Sequence, residues 1–434
     1  MATEDSDLQN DLQSILQQKT PLLPMAELRS FVEHYFSCRE KYLRILEKYP
    51  PPVYILESDV LKEKVRQFQE AFKRVLPEVS FYYAVKSNNN PEVARILLQW
   101  NFGLDVSSGL ELKMALNLNA DDIVFSGPGK TDLELTLATL HAEQVTVLID
   151  SFSELHRLEA IAASRNKRVR AGVRLTTNPN GLWRKFGILP HTLPAFWKEA
   201  GQCPHVMLQG LQFHTSWNLS PEAQIDFIKR LGKLLAKEFN PFRKEIVFID
   251  VGGGYWPPQG EWLQAAGTPA GRIRRALGKG ADPGANHYRF PATPIESFAD
   301  QLGVAIEEHL FKSVSCRICL EPGRWICNDV MHLFISVIDK KAPDLVITDA
   351  GTNAIGWERF ETDYFPILNL TRPILKERAC HILGSLCTPH DVWGYSYWGE
   401  DIRPGDILMV PMQGAYTYSL RQNFIKPVPP VIIK

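Results

Sequence analysis

Between residues 50 and 330 the chain alternates short apolar runs with stretches of helical periodicity. The apolar runs cover residues 80–85, 102–106, 122–126, 144–149, 168–175, 208–214, 246–251 and 316–321. Each ends in polar or glycine residues, as buried parallel strands do where the chain leaves the sheet. Helical patterns follow most of them, for example over 91–100, 110–116 and 151–163. Eight strand-then-helix units in roughly 250 residues predict a (β/α)8 TIM barrel, whose chemistry sits at the C-terminal ends of the strands.

The flanking patterns differ. Over 8–48 apolar residues recur at helical spacing (Leu8, Leu12, Ile15, Leu16; then Leu28, Phe31, Val32, Tyr35), and Pro50-Pro51-Pro52 ends this arm. Val53-Tyr54-Ile55-Leu56 predicts a short strand, and 57–75 a helix capped by Ser58. Beyond about residue 330, strand-like runs at 330–338, 345–348, 407–410 and 431–433 are separated by Gly, Pro and Asp turns. They predict an antiparallel β domain. The tail Lys426-Pro427-Val428-Pro429-Pro430 suits a sheet edge, where proline is tolerated. The expected organisation is a helical arm (1–50), a barrel (51–325) and a C-terminal antiparallel β domain (326–434). Residues 256–293 interrupt the barrel pattern with Pro257-Pro258, several glycines and Arg272, Arg274, Arg275 and Lys279. The favoured reading is a solvated basic insertion; a lid or interface loop is the other.

Composition adds exclusions. At 434 residues, 45% hydrophobic and 22% charged, the chain has the make-up of a soluble globular protein with more than one domain. A formal charge of −1 gives no global field to recruit nucleic acid or an anionic membrane. The opening Met1-Ala2-Thr3-Glu4-Asp5 has no signal-peptide pattern. No run approaches the roughly 20 apolar residues of a membrane span. Seven cysteines, an odd number, fit reduced thiols and a cytoplasmic address. Cys316, Cys319 and Cys327 lack a second cysteine pair or a nearby histidine, so they read as buried thiols and no metal is expected.

The strand ends carry the candidate chemistry. The run Phe81-Tyr82-Tyr83-Ala84-Val85 ends on Lys86, followed by Ser87 and three asparagines. Such a lysine either snorkels to water or is a partly desolvated, nucleophilic amine. Asp105 ends the second strand, Ser126-Gly127-Pro128-Gly129-Lys130 follows the third, and Asp150 ends the fourth with nothing distinctive. Arg174 lies at the end of the fifth, His214-Thr215-Ser216 ends the sixth, Gly252-Gly253-Gly254 follows the seventh and Glu321-Pro322-Gly323-Arg324 ends the eighth. Singly, each has a plain alternative: a turn, a hydrogen-bonded core histidine, an ion pair. Together they are what pyridoxal phosphate needs. Lys86 holds the aldehyde, the glycine turn offers N–H groups to the phosphate, His214 stacks on the ring and Glu321 keeps the pyridine nitrogen protonated.

On these residues the chain resembles the diaminopimelate/ornithine/arginine decarboxylases of the alanine-racemase-like fold group. Further matches are Lys185-Phe186-Gly187, Asp349-Ala350-Gly351, Gly384-Ser385-Leu386-Cys387 with Asp391, and Gly414-Ala415-Tyr416. The resemblance runs from about residue 50 to the C-terminus. It implies Lys86 as Schiff-base lysine, His214 as ring-stacking residue and Glu321 as partner of the pyridine nitrogen. It assigns Gly252, Gly253, Gly254, Gly323, Arg324 and Tyr416 to the phosphate; Asp105 and Ser216 join the cofactor-binding positions. It implies a homodimer in which the partner copy supplies Cys387 as proton donor and Asp391 as substrate-facing acid.

Two departures stand out. The family pattern after the histidine is any residue, then Gly, then Ser, whereas this chain reads Thr215-Ser216-Trp217. Diaminopimelate decarboxylases place an arginine for the distal carboxylate where this chain has Trp357, and a glutamate after the cysteine where it has Thr388. Arg359, two residues on, is a substitute reader, so Trp357, Arg359 and Asp391 are the substrate-binding candidates. The resulting expectation is a pyridoxal-phosphate-dependent decarboxylase of a diamino or related nonstandard amino acid. The alternatives are an amino-acid racemase, which Glu321 disfavours because racemases of this group pair the nitrogen with arginine, and a non-catalytic regulatory homologue.

Overall fold

A computed structural model of the chain describes residues 2–279, 286–356 and 362–434. The chain divides into two compact units. One comprises Ser58–Pro258 and Thr293–Cys327; the other comprises Met1–Glu57, Gln259–Ala292 and Asn328–Lys434.

The first unit is a closed barrel of eight parallel strands: Val79–Ala84, Gly103–Val106, Ile123–Phe125, Val145–Ile149, Val169–Leu175, Val206–Phe213, Phe248–Asp250 and Arg317–Leu320, the last pairing with the first. All eight strands read from the apolar runs are present. Their near-continuous hydrophobicity is what a sheet buried on both faces requires. Tyr82, Val124, Leu148, Phe248 and Cys319 fill the barrel interior as one cluster. Two of these side chains are too large for a lumen lined with bulky residues on every strand, and glycines make the room. A Cβ on Gly210 would lie 2.1 Å from the Phe248 ring, and one on Gly103 2.5 Å from the Tyr82 ring. The outer helices start on side-chain caps. Asn90, Ser108, Thr131 and Ser151 each accept a backbone N–H from the first turn of the helix that follows.

The second unit is built on an eight-stranded sheet. Met331–Ala342 pairs antiparallel with Val53–Leu56, Leu345–Thr348 and Ile407–Val410. Three pairings depart from the antiparallel expectation: Val53–Leu56 with Val431–Ile433, Leu345–Thr348 with Glu377–Leu383, and Leu368–Asn369 with Val392–Trp398 are parallel. Val431–Ile433, after the proline-rich tail, is an edge strand. The helices Met25–Ser37 and Arg39–Lys48 bury Leu28, Val32, Tyr35, Tyr42 and Leu46 against Phe334, Leu368, Trp398 and Met409.

Of the segment read as a solvated insertion, residues 259–279 and 286–292 belong to this second unit and are packed in it. Glu261–Leu263 and Tyr288–Phe290 form a two-stranded ribbon, and Trp262 joins the core. His287 stacks on Tyr364 at 3.4 Å between ring centres and pairs with Glu377 at 2.9 Å. Arg289 forms an ion pair with Glu27. Basic residues hid this packing: Arg272, Arg274 and Arg275 are exposed, as expected, while a few aromatic residues do the anchoring. No helix among the described residues is long and apolar enough to cross a membrane.

The barrel interior yields a first prediction. Gly210→Ala forces a methyl into the Phe248 ring and should cost about 1–3 kcal/mol in urea unfolding. Gly210→Ala/Phe248→Leu should recover part of that loss, because contacting sites are not additive. Equal losses in the single and double variants would refute the packing account.

Candidate active site

Lys86 sits in a one-turn 3-10 helix, Val85–Ser87, at the C-terminal end of the first barrel strand. Its neighbours are locked in place. The Ser87 hydroxyl donates to the Ala84 carbonyl (2.7 Å), and the Tyr83 hydroxyl donates to the Asn88 carbonyl (3.0 Å). Ser87 and Asn88 are fully buried, whereas the Lys86 side chain keeps 34% of its surface. Lys86 Nζ donates to Asp105 Oδ2 at 2.7 Å, and Ser126 Oγ donates to Asp105 Oδ1 at 2.5 Å. The ends of the first three strands are thereby tied together by one buried carboxylate. Burial pushes the Asp105 carboxyl up, against the pull of Lys86.

Four polar side chains meet at the ends of strands six, seven and eight. Gln212 Nε2 donates to Glu321 Oε1 at 3.2 Å, and His214 Nδ1 lies 3.4 Å from Glu321 Oε2. The Gly253 N–H points at the same His214 nitrogen at 3.2 Å. Burial lowers the His214 pKa against the attraction of Glu321, favouring the neutral ring. In that state Nδ1 accepts from Gly253 or donates to Glu321, one at a time. Asp250 is fully buried; its Oδ1 accepts the Gly252 N–H at 2.8 Å, and its Oδ2 is buried without a hydrogen-bond partner. Two buried neighbouring carboxyls oppose each other's ionisation, and an acid whose second oxygen has no donor is the one that keeps its proton. Burial and the Glu321 charge raise Asp250 well above the usual range. Burial also opposes ionisation of Glu321, but His214, Lys86 and Asp250 together hold it low. The proton therefore resides on Asp250 and the charge on Glu321.

The turn Gly252-Gly253-Gly254 closes this side. Gly252 and Gly254 have φ of +71° and +84°, and a Cβ on Gly253 would lie 2.2 Å from the Glu321 carbonyl oxygen. Only glycine lets the turn lie against the end of the eighth strand. Two of its N–H groups, those of Gly252 and Gly253, make hydrogen bonds inside the site. Arg324 opens the one-turn helix Arg324–Cys327. A Cβ on Gly323 would lie 2.9 Å from Ser87 Oγ, so this glycine lets the Lys86 turn and the Arg324 turn approach.

The remaining predicted positions divide between the two units. Ser216 is exposed beside the glycine turn. Cys387, Asp391 and Tyr416 belong to the other unit. Cys387 is exposed. Asp391 is buried, and its two oxygens accept the Thr352 N–H (2.7 Å) and the Leu386 N–H (2.6 Å), shaping the loop that carries Cys387. Trp357 and Arg359 lie outside the described residues. Lys130 is buried, donating to the Gly127 and Leu148 carbonyls and to Glu154. Its motif is structural. Asp250 and Gln212 went unread in the sequence. An Asp in the last position of an apolar strand, two residues before a triple glycine, was the available signal.

Residues 60–328 match the family model described as "Pyridoxal-dependent decarboxylase, pyridoxal binding domain". The chain belongs to the pyridoxal-dependent decarboxylases. Among curated relatives it is 25% identical over 399 residues to L-glutamyl-[BtrI acyl-carrier protein] decarboxylase of Niallia circulans, covering 86% of each chain. It is 26% identical over 430 residues to diaminopimelate decarboxylase of Aquifex aeolicus, covering 94% of this chain and 91% of the other. Among solved structures, a diaminopimelate decarboxylase from M. jannaschi shares the fold with a TM-score of 0.76 at 23% identity, over 90% of this chain and 88% of the other. A lysine/ornithine decarboxylase from Vibrio vulnificus does so with a TM-score of 0.72 at 19% identity, over 91% and 98%. This decarboxylase uses pyridoxal phosphate and acts on an amino acid.

The residues present fit that cofactor. An amine at the strand end suits an aldehyde, a buried anion suits a protonated ring nitrogen, and a flat imidazole suits the ring face. A guanidinium beside a glycine turn suits a phosphate.

If Asp250 is the protonated partner, asparagine is its uncharged isostere: its amide oxygen accepts from Gly252 as the carboxyl does. Asp250→Asn should stay within about 1 kcal/mol of wild-type stability, while Asp250→Leu should lose about 1–3 kcal/mol by leaving buried polar groups unpaired. Chemical denaturation compares them. Equal damage in both variants would mean that Asp250 is an anion.

Proposed function

We propose that Lys86 holds the cofactor covalently and that Glu321 is the ionised partner of its ring nitrogen. The observation that carries this reading is a buried carboxylate kept charged by an amine, an imidazole and a protonated acid at the end of one barrel. The chemistry supplied by bound pyridoxal phosphate is that of an electron sink for the pair left on the α-carbon when carbon dioxide departs. Glu321 sustains that capacity by favouring a proton on the pyridine nitrogen, which distinguishes this site from a racemase's. Asp105 holds Lys86 by its ammonium group and stands as an acceptor when the amine gives up a proton. His214 offers a flat face to the ring. Gly252–Gly254, Gly323, Arg324 and Tyr416 are assigned to the phosphate. The active form is a homodimer in which Cys387 of one copy protonates the α-carbon in the site of the other; the exposure of this thiol on a loop braced by Asp391 supports that assignment.

The substrate is an amino acid whose distal end differs from that of diaminopimelate. That substrate carries both an ammonium and a carboxylate at its far end, and burying either unpaired costs several kcal/mol. Where the family places Arg and Glu this chain has Trp357 and Thr388. Indole packs on an apolar stem or a cation but does not bind a carboxylate as guanidinium does. The relatives are compatible with this: a carrier-bound glutamyl decarboxylase and a diaminopimelate decarboxylase match at 25% and 26%, so identity favours neither.

Borohydride reduction of cofactor-loaded protein, followed by mass spectrometry, should place the pyridoxyl group on Lys86 and find none in Lys86→Ala. An adduct on another lysine sinks the assignment. Carbon dioxide release screened over basic, acidic, diamino and carrier-bound amino acids identifies the substrate. With meso-diaminopimelate, kcat/KM should fall below the ordinary enzyme range of about 10⁴ M⁻¹s⁻¹; a value at or above it would mean that Arg359 or another group reads the distal charges.

A further inference from the structure

Trp217 stands where the family pattern has a serine, at the end of the turn that follows the sixth barrel strand. Its φ is +59°, a conformation uncommon for a bulky side chain. The next residue holds it there. Asn218 is buried; its N–H donates to the Gly254 carbonyl at 3.0 Å, and its Nδ2 donates to the Gly253 carbonyl and to Thr215 Oγ1, each at 2.9 Å. The turn carrying Trp217 is therefore fastened to the glycine turn. Trp256, two residues beyond Gly254, is buried, and the two indoles lie 5.3 Å apart with a tilt of 39°. The Arg324 guanidinium carbon is 4.5 Å from the Trp256 ring centre and 5.7 Å from that of Trp217.

A guanidinium held against aromatic faces loses rotational freedom and keeps its N–H edge for an anion. We propose that Trp217 and Trp256 form an aromatic clamp that orients Arg324 toward the cofactor's phosphate, in place of the serine contact this chain lacks at that position. The proposal deepens the cofactor reading above and rests on it. Trp217 is a positioning residue: it acts on the phosphate through Arg324.

Apoprotein titrated with pyridoxal phosphate, and separately with pyridoxal, tests this through the visible absorbance of the bound aldehyde. In Trp217→Ala the Kd for pyridoxal phosphate should rise about tenfold, the size of a partly desolvated cation–π contact. The Kd for pyridoxal, which has no phosphate, should not move. Trp217→Phe, which keeps an aromatic face, should stay within about threefold of wild type. If Trp217→Ala does not fold, Trp217→Gly, suited to the positive φ, gives the same comparison. Equal weakening of both aldehydes, weakening of neither, or a loss in Trp217→Phe as large as in Trp217→Ala would overturn the clamp. Wild-type protein that binds pyridoxal but gains nothing from the phosphate would overturn it too. Wild-type protein that binds neither aldehyde would overturn the cofactor reading itself, and the clamp with it.

Discussion

A carboxylate that stays ionised out of contact with water is the constraint on which the barrel's site depends. Glu321 is 2% exposed, and an isolated charge there would neutralise. Three neighbours prevent this: Lys86 by its positive charge, His214 by a close ring nitrogen, and Asp250 by staying protonated and so adding no second negative charge. Each neighbour hangs on a different strand end. Parallel register fixes those ends relative to one another, with Cys319 beside Asp250 and Leu320 beside Phe81. The charge on Glu321 is thus a property of barrel closure rather than of a local motif.

The same closure explains where glycine is needed. Chain segments leaving strands six, seven and eight converge on one small volume, and backbone meets backbone. Gly252, Gly253 and Gly323 permit contacts that a methyl group would block. Below them the demand runs the other way: Phe248 and Tyr82 are large, and Gly210 and Gly103 leave them space. Small residues in the barrel serve opposite ends, close approach at the site and accommodation of rings in the core.

What was legible in the sequence follows from how local each signal is. A fully buried strand must be apolar throughout and must end in polar residues, so all eight strands and Lys86, Asp105, His214, Glu321 and the glycine turn could be read directly. Asp250 could not, because its role comes from a carboxyl on another strand. The packing around Trp262 and His287 was missed because these anchors meet Tyr364 and Glu377, between 77 and 102 residues away, while the basic residues between them look solvated. Parallel pairings such as Leu345–Thr348 with Glu377–Leu383 are likewise invisible to a pattern that registers only alternation along one strand.

Electron-sink chemistry and recognition of a distal end answer different physical requirements. Electron-sink chemistry needs the same groups for any amino acid, and these sit on strand ends whose positions hydrogen bonding fixes. Recognition of a distal end needs groups that vary with the substrate, and loops supply them because they change without disturbing a sheet. Asp391 illustrates the join between rigidity and variation. By accepting the Thr352 and Leu386 N–H groups it braces the loop bearing Cys387, and the hydroxyl of the next residue, Thr388, accepts the His390 N–H at 3.3 Å. A proton donor, the role proposed for Cys387, needs a fixed position whatever the substrate, whereas the residue type that suits a distal end changes with it. That division explains how the strand-end residues can match the family while positions 357 and 388 depart from it within the same chain.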